Sequence, residues 1–232
     1  MARLFLIPTP LGDYAPSEVL PKPVLDLIPG IGLWFVEELR TARRFLSAAG
    51  LKGHIDELEF HEINEHTTQQ ETESYAALLG TRDAGLISEA GLPAVADPGA
   101  KLVDLAHAKG IEVVPQVGPS SLMMALMSSG LNGQCFAFTG YLPAKADERR
   151  NAIQNIEKVS SRLSQTQIII ETPYRNDALL EDLLNVCRPS TKICVAADIT
   201  LPSAYIKTAT VEQWRKNRIT IGKRPCVFLM LG

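Results

Sequence analysis

The chain has 232 residues, 46% of them hydrophobic, and a formal net charge of −3 at pH 7. This length fits one large domain or two small ones, and the apolar content is ample for a packed core. The charge excludes a general electrostatic attraction to nucleic acid, so an RNA partner would need a local patch of cations.

The cysteines and the apolar segments indicate a reduced, soluble protein of the cytoplasm. The four cysteines form no C-x-x-C pair and lie among apolar residues, so we expect reduced core side chains rather than a disulfide framework or a zinc site. They are Cys135, Cys187, Cys194 and Cys226. The N-terminal apolar run is too short for a secretory signal, and no other segment has the length to span a bilayer.

The first half of the chain alternates apolar runs, turn-rich loops and helix patterns. A buried run so close to the N-terminus indicates a central parallel strand, and it ends in the rigid loop Pro8-Thr9-Pro10-Leu11-Gly12. Thr68 and Glu71 have the spacing of a capping box. The pattern predicts strands at 4–7, 33–36, 57–61, about 85–87 and 111–114, and helices at 24–28, 37–49, 68–79, 102–110 and 122–127.

The loop at 88–99 is the most informative stretch of the chain. It contains two glycines and two prolines, together with the ionisable residues Glu89 and Asp97. Small residues let the backbone approach a ligand, and prolines fix the path of the loop. Loops at the carboxyl ends of strands are where ligands bind in open α/β sheets, and ordinary connections are shorter. We therefore interpret this loop as part of a binding site.

Three further groups of side chains have both a functional and a structural interpretation. Arg40, Arg43 and Arg44 share one helix and could bind phosphate, or could form a solvated face that pairs with Glu37 and Glu38. Ser120 and Ser121 follow Pro119, and they either bind a ligand at a helix N-terminus or only cap that helix. His61 and His66 lack helical spacing and a third ligand, which argues against a metal site, although a histidine can serve as a base.

The second half predicts a further α/β domain with a mixed sheet. Its strands are expected at 136–141, 168–170, 193–197, 204–209 and 225–231, with the last strand opposed to 204–209, and its helices at 147–159, 176–187 and 210–218. Val211 and Trp214 should face inward. We place the domains at 1–130 and 131–232, with the ligand in a cleft between them. Dinucleotide, P-loop and nucleophile-elbow motifs are absent from the sequence.

Five loop motifs, taken in order, resemble those of the tetrapyrrole-methylase-like S-adenosylmethionine-dependent methyltransferases. Within that superfamily they are most similar to the branch that methylates the 2′-hydroxyl of a cytidine in small-subunit ribosomal RNA. The motifs are Pro8 to Gly12, Ser88 to Pro93 with Asp97-Pro98-Gly99, Gly118 to Ser121, Leu142-Pro143-Ala144-Lys145 and Glu171-Thr172-Pro173-Tyr174-Arg175. The resemblance spans nearly the whole chain.

The resemblance implies a homodimer of two-domain α/β subunits that bind S-adenosylmethionine and need no metal. The cofactor contacts it implies are Pro10, Ser88, Glu89, Ala90, Gly91, Val95, Ser120, Ser121, Leu142 and Thr172. A ribose hydroxyl needs a general base, for which Glu38, His61, Glu65 and Glu89 are candidates. An RNA substrate would be held by Arg40, Arg43, Arg44, Lys145, Arg149, Arg150 and Arg175.

The chain departs from the family pattern at two places near the expected site. Relatives commonly have Glu-Asp-Thr-Arg where this chain has Glu37-Glu38-Leu39-Arg40, and Asp where Glu89 stands. Many also carry a small C-terminal extension, which we do not expect in this chain. Two alternatives therefore stay open. The protein could methylate a small tetrapyrrole-like molecule, or it could bind S-adenosylmethionine without catalysis.

Overall fold

Two five-stranded sheets, one in each half of the chain, carry the fold. The computed structural model describes residues 2–64 and 66–232, so Met1 and Glu65 lie outside the description. The described chain divides into a first unit that ends at Ser120 and a second unit, Ser121–Gly232. Both units combine a sheet with helices, which confirms the α/β class predicted from the sequence.

The sheet of the first unit is parallel throughout. Its strands lie in the order β3-β2-β4-β1-β5, and every neighbouring pair runs in the same direction. They are β1 (Arg3–Leu6), β2 (Leu33–Val36), β3 (Glu59–Glu62), β4 (Ala84–Ile87) and β5 (Glu112–Pro115). Because parallel strands end at the same edge of a sheet, the five loops that follow them share that edge.

Four helices of the first unit lie close to predicted positions, whereas α1 (Pro16–Val19) was not predicted. The four are α2 (Lys22–Leu27), α3 (Leu39–Leu46), α4 (Gln69–Leu79) and α5 (Ala100–Ala108). Thr68 and Glu71 form the predicted capping box at the start of α4. Helix α3 is shorter than predicted, because a wider turn at Ser47–Leu51 follows it and Gly50 adopts a φ of 118° there.

Close packing inside this sheet depends on Trp34 and Gly85, which lie side by side on β2 and β4. The Trp34 side chain is fully buried, and its indole N–H donates to the carbonyl of Ile31 at 2.9 Å. A Cβ on residue 85 would lie 2.3 Å from the Trp34 ring. Only glycine therefore fits at position 85 without a shift of the core.

The sheet of the second unit is mixed. Its strands are β6 (Phe136–Tyr141), β7 (Thr166–Ile170), β8 (Lys192–Ala197), β9 (Tyr205–Thr210) and β10 (Cys226–Leu231), in the order β6-β7-β10-β8-β9. Only β6 and β7 are parallel. The expectation that β9 pairs with β10 is wrong, because β10 lies between β7 and β8 while β9 pairs with β8.

The helices of the second unit are α6 (Ser121–Ser129), α7 (Ala146–Leu163), α8 (Asn176–Val186) and α9 (Val211–Lys216). The sequence grouped α6 with the first half of the chain, whereas it packs on the second sheet, where the Thr208 hydroxyl donates to the carbonyl of Ser129 at 2.7 Å. The Val211 and Trp214 side chains are buried as predicted. All four cysteines are free; three are buried and Cys135 is half-buried.

Candidate functional site

Two loops at the carboxyl edge of the first sheet are joined by backbone hydrogen bonds. The amide of Thr9 donates to the carbonyl of Gly91 at 2.9 Å, and the amide of Gly91 donates back to the carbonyl of Thr9 at 3.1 Å. The Thr9 hydroxyl also donates to the carbonyl of Ser88 at 3.3 Å. The proline loop after β1 and the loop after β4, singled out separately in the sequence, therefore form one structure.

Asp97 shapes the loop after β4 from within. Its carboxylate accepts hydrogen bonds from the amides of Ala94 at 2.8 Å and Gly99 at 2.7 Å. Ala94 and Ala96 both have positive φ angles, 64° and 62°, which non-glycine residues rarely adopt. Burial, aided by the charge of Glu37, raises the pKa of Asp97 to about 6. We infer that these hydrogen bonds to the Asp97 carboxylate stabilise the strained backbone of the loop.

A cavity of about 680 Å³ lies beside the joined loops, within the first unit. This volume is in the range of small-ligand pockets. Its walls are the loop after β1, one face of α3, and the start of the loop after β4. The lining residues are Thr9, Pro10, Leu11, Gly12, Asp13, Tyr14, Ala15, Pro16, Thr41, Arg44, Phe45, Ala48, Glu89 and Ala90.

Four candidates from three separate parts of the sequence meet in this cavity: Pro10, Arg44, Glu89 and Ala90. Sequence reasoning missed Thr41 and Phe45 on α3 and Ala48 in the wider turn that follows it. Their spacing with Arg44 is i, i+3, i+4, i+7, so a helical-face analysis of 39–49 could have found them.

Carboxylates surround Glu89 and affect its basicity. The Glu89 amide donates to the Glu37 carboxylate at 3.0 Å. Partial desolvation raises the pKa of Glu89, and the negative charges of Glu37 and Glu38 raise it further. Because a higher pKa makes a carboxylate a stronger proton acceptor, this environment suits a general base.

Glu38 has a different task from Glu89. Its carboxylate caps α3, accepting from the amides of Arg40 at 2.8 Å and Thr41 at 2.7 Å. These backbone hydrogen bonds lower the pKa of Glu38, so it is the weaker proton acceptor of the two. The capping bonds occupy both carboxylate oxygens.

The histidine candidates line a different and smaller cavity of about 340 Å³ at the end of β3. The His61 ring contacts the rings of Phe35 and Tyr75, and its Nε2 lies 2.8 Å from the Glu59 carboxylate. His66 lines the same cavity. The structure therefore does not bring either histidine into the cavity that contains Glu89, and the candidate Glu65 lies outside the described residues.

The candidate residues of the second unit fall at two equivalent positions. Leu142 follows β6 and Thr172 follows β7, at the carboxyl ends of neighbouring parallel strands. Ser121 is the first residue of α6. In the first unit, Ser88, Ala90 and Gly91 lie in the joined loops, Val95 is exposed on the loop after β4, and Ser120 ends the unit. That one ligand contacts the candidates of the first unit as well as those of the second unit stays a prediction.

The cations proposed for RNA binding differ in how accessible they are. Arg40 and Arg44 are exposed, whereas Arg43 pairs with Asp56. Lys145 pairs with Glu148 at 3.2 Å on the surface. Arg149 is 6% exposed and binds the buried Asp182 at 2.6 Å, which also accepts from Arg150. Arg175 pairs with Glu171 at 2.6 Å. The buried pair of Arg149 with Asp182 joins α7 to α8, so Arg149 is a structural residue. The exposed Arg40 and Arg44 are accessible to a polyanion.

Neither a metal-binding cluster nor a membrane-spanning helix is found among the described residues. They contain no group of three or more His, Cys, Asp or Glu side chains able to hold a metal ion. None of their helices combines the length and the apolar character needed to cross a membrane.

Comparison with known proteins finds bacterial sequence relatives that share the name ribosomal RNA small subunit methyltransferase I. The chain is 31% identical to "Ribosomal RNA small subunit methyltransferase I" of Escherichia coli O157:H7, over 99% of this chain and 78% of that protein. It is 30% identical to the protein of the same name from Vibrio cholerae, over 85% of this chain, and spans 65% of that relative's length. A third, from Pseudomonas aeruginosa, is 30% identical and is covered over 78% of its length. No family model matches the chain.

Solved structures share the fold at lower identity. The methyltransferase CobJ superposes with a TM-score of 0.66 and 13% identity, over 100% of this chain and 95% of that one. Uroporphyrin-III C-methyl transferase from Thermus thermophilus, complexed with S-adenyl homocysteine, superposes with a TM-score of 0.59 and 16% identity. That alignment covers 99% of this chain and 97% of the Thermus chain.

Proposed function

The chain belongs to the family of ribosomal RNA small subunit methyltransferase I, and from this premise we propose that it is an S-adenosylmethionine-dependent ribose methyltransferase. The proposed acceptor is the 2′-hydroxyl of a cytidine in small-subunit ribosomal RNA. The observation that carries this proposal is the cavity in which an exposed arginine, Arg44, and a carboxylate of raised pKa, Glu89, meet at the loop edge of the first sheet.

The joined loops fit the cofactor chemically. The Ser88 side chain is 8% exposed, and its hydroxyl oxygen is buried without a hydrogen-bond partner among the described residues. A buried hydroxyl without a partner is costly, so a ligand that supplies one is favoured. Gly91, with a φ of 80°, brings its backbone to the same loop without a side chain. Ser88, Ala90 and Gly91 would contact the cofactor there, with Ser121, Leu142 and Thr172 in the second unit.

In the proposed reaction, Glu89 accepts the proton of the ribose 2′-hydroxyl as the oxygen gains its methyl group. When bound, S-adenosylmethionine supplies that methyl group, already activated by a positively charged sulfur. Arg44 pairs with a phosphate that flanks the acceptor ribose and so orients it. Glu37 and Glu38 keep Glu89 basic through their charge.

The proposal includes a homodimer that acts in the cytoplasm, as the family resemblance implies. Light scattering on the purified protein would test the first statement, with a mass of twice the 25.3 kDa chain expected. Subcellular fractionation followed by detection of the chain would test the second.

The decisive experiment supplies labelled S-adenosylmethionine and small ribosomal subunits that lack the modification. We expect label on a ribose, recognised because a 2′-O-methyl group makes the adjacent phosphodiester resistant to alkali. The Glu89→Gln variant should lose most of the transfer, whereas Glu73→Gln, an exposed glutamate on α4, should not. Failure of the wild-type protein to label subunits, total RNA or a small-molecule extract would contradict the proposal.

A further inference from the structure

The last twenty residues of the sequence form its most cationic stretch. Residues 213–232 contain five arginines and lysines and no aspartate or glutamate, in a chain whose net charge is −3. The five are Arg215, Lys216, Arg218, Lys223 and Arg224. Most of them fall in or next to the loop at 217–225, between α9 and β10. Lys216 pairs with Glu212 and Arg224 with Asp198, so Arg218 and Lys223 supply the local positive charge that an acidic protein needs to bind a polyanion.

The loop is held in place by the first two residues of α8. The side-chain amide of Asn176 donates to the backbone carbonyls of Gly222 at 3.1 Å and Arg224 at 2.7 Å. The Asp177 carboxylate accepts from the amides of Ile221 at 2.7 Å and Gly222 at 3.1 Å. These four hydrogen bonds order the loop, and two of them pair the Asp177 carboxylate with backbone donors. Little ordering entropy would remain to be lost on binding.

Tyr174 stands next to this loop with its ring in solvent. It lies in the turn Pro173–Arg175 that leads into α8, and it is 79% exposed. The Lys223 ammonium lies 4.8 Å from the centre of the Tyr174 ring, within the distance of a cation–π contact. The side chains of Lys223 and Arg218 are exposed as well. An open aromatic face beside ordered cations is the arrangement that binds single-stranded nucleic acids.

We propose that Tyr174 and Lys223 form a stacking platform for an unpaired base of the RNA substrate. The base stacks on the Tyr174 ring, while Lys223 and Arg218 pair with the adjoining phosphates. The platform belongs to the second unit, whereas all residues lining the Glu89 cavity belong to the first. This inference rests on the proposed function, since it assumes an RNA substrate.

The test measures binding of a labelled single-stranded RNA of about 12 nucleotides, within the usual site size of such surfaces. We expect Tyr174→Ala to weaken binding about tenfold, and Tyr174→Phe and Tyr174→Trp to retain it, since both keep a ring. Lys223→Gln should weaken binding and reduce the slope of log affinity against log salt by about 0.7. Lys158→Gln, at an exposed lysine of α7, is the matched control and should change neither.

Two further measurements separate this inference from the proposed function. Calorimetry with S-adenosylmethionine and thermal unfolding should give the same result for Tyr174→Ala as for the wild type. Methyl transfer by the wild type together with unchanged RNA affinity in Tyr174→Ala would overturn the platform and leave the function standing. Equal losses in Tyr174→Ala and Tyr174→Phe would also overturn it, because stacking does not use the hydroxyl. A wild-type protein that binds no RNA overturns the platform, and its transfer to subunits then decides the function separately.

Discussion

Single residues decide whether the cavity of the first unit can do acid–base chemistry. We expect Glu89→Gln to lower kcat by about 10²- to 10⁴-fold, the usual contribution of a general base, with little change in binding of S-adenosylmethionine. Because Glu89 acts only when ionised, wild-type activity should fall as the pH drops through its raised pKa. Single-turnover transfer measured from pH 5 to 9 checks both expectations, and an unchanged acidic limb in Glu89→Gln would contradict them.

Glu37 provides a matched test of the same electrostatic argument. Glu37→Gln keeps an oxygen that can accept from the Glu89 amide but removes a negative charge that raises the pKa of Glu89. We therefore expect the acidic limb of the pH profile to move to lower pH while kcat on the plateau changes little. Asp13 and Arg44, which line the cavity, and the nearby Glu38 stay unchanged in this variant, whereas the pKa of Asp97, which Glu37 also raises, should fall as well. A shift to higher pH would contradict the assignment of the limb to Glu89.

Ser88 should affect stability and binding in opposite directions. Removing its buried, unpartnered hydroxyl in Ser88→Ala should leave the free energy of unfolding of the ligand-free protein unchanged or raise it by about 1 kcal/mol. The same change should weaken S-adenosylmethionine binding about tenfold, since a hydrogen bond to the ligand is lost. Urea unfolding with and without the cofactor measures both quantities.

Ser129 is the control for Ser88, because it is a buried serine whose hydroxyl has partners. It donates to the carbonyl of Leu126 at 2.8 Å and accepts from the amide of Leu131 at 3.0 Å. Ser129→Ala should therefore lower the free energy of unfolding by about 1 kcal/mol. If Ser88→Ala destabilises the ligand-free protein as much as Ser129→Ala does, the Ser88 hydroxyl has a structural role and not the one proposed.

At the scale of elements, breaking the buried ion pair between α7 and α8 should destabilise the second unit strongly. Asp182 is buried and accepts from Arg149 at 2.7 Å and Arg150 at 2.9 Å. Asp182→Asn leaves the buried Arg149 guanidinium without its counter-charge, which costs about 3–5 kcal/mol of unfolding free energy. Glu148→Gln, which breaks an exposed pair with Lys145, should cost about 0–1 kcal/mol. Chemical denaturation measures both losses of unfolding free energy. Equal losses in Asp182→Asn and Glu148→Gln would contradict this ranking.

Most elements of this fold could be predicted because their signals are local. The capping box at Thr68, the strand at Leu33–Val36 and the strand at Phe136–Tyr141 all lie where the pattern placed them. The position of β10 could not be predicted in the same way, since pairing between distant strands depends on the packing of the whole sheet. An apolar strand buried on both faces fits the centre of a sheet as well as a position beside β9.

The limits of site prediction have the same origin. The motifs identified the family, which the relatives confirm, and they pointed to the loops that the hydrogen bonds of Thr9 and Gly91 join. They did not separate Glu38, which caps a helix, from Glu89, which lines the cavity. Nor did they show that Arg149 is buried against Asp182, a partner 33 positions away. Residue type alone carries no information about such distant contacts.

At the scale of the whole molecule, a net charge of −3 means that any attraction to RNA must come from local clusters. Two of the exposed clusters lie where the proposals need them: Arg40 and Arg44 on α3, which lines the Glu89 cavity, and Arg218 and Lys223 in the loop before β10. Long-range repulsion from the remaining carboxylates opposes binding at low ionic strength, while each paired phosphate favours it. The dependence of substrate affinity on salt concentration therefore distinguishes an RNA substrate from a small molecule without phosphates.

We therefore expect methyl transfer to small ribosomal subunits to depend steeply on salt, and cofactor binding to depend on it weakly. Each phosphate contact contributes about 0.7 to 0.9 to the slope of log affinity against log salt, so three to four contacts reduce affinity roughly 20- to 150-fold between 0.1 and 0.4 M salt. Arg44→Gln and Lys223→Gln should each reduce that slope by the contribution of about one phosphate contact. Measuring KM for subunits and the Kd for S-adenosylmethionine over this range tests the expectation. A flat KM, together with transfer to a small-molecule extract, would favour a tetrapyrrole-like acceptor instead, because such a substrate lacks the phosphates that make RNA binding sensitive to salt.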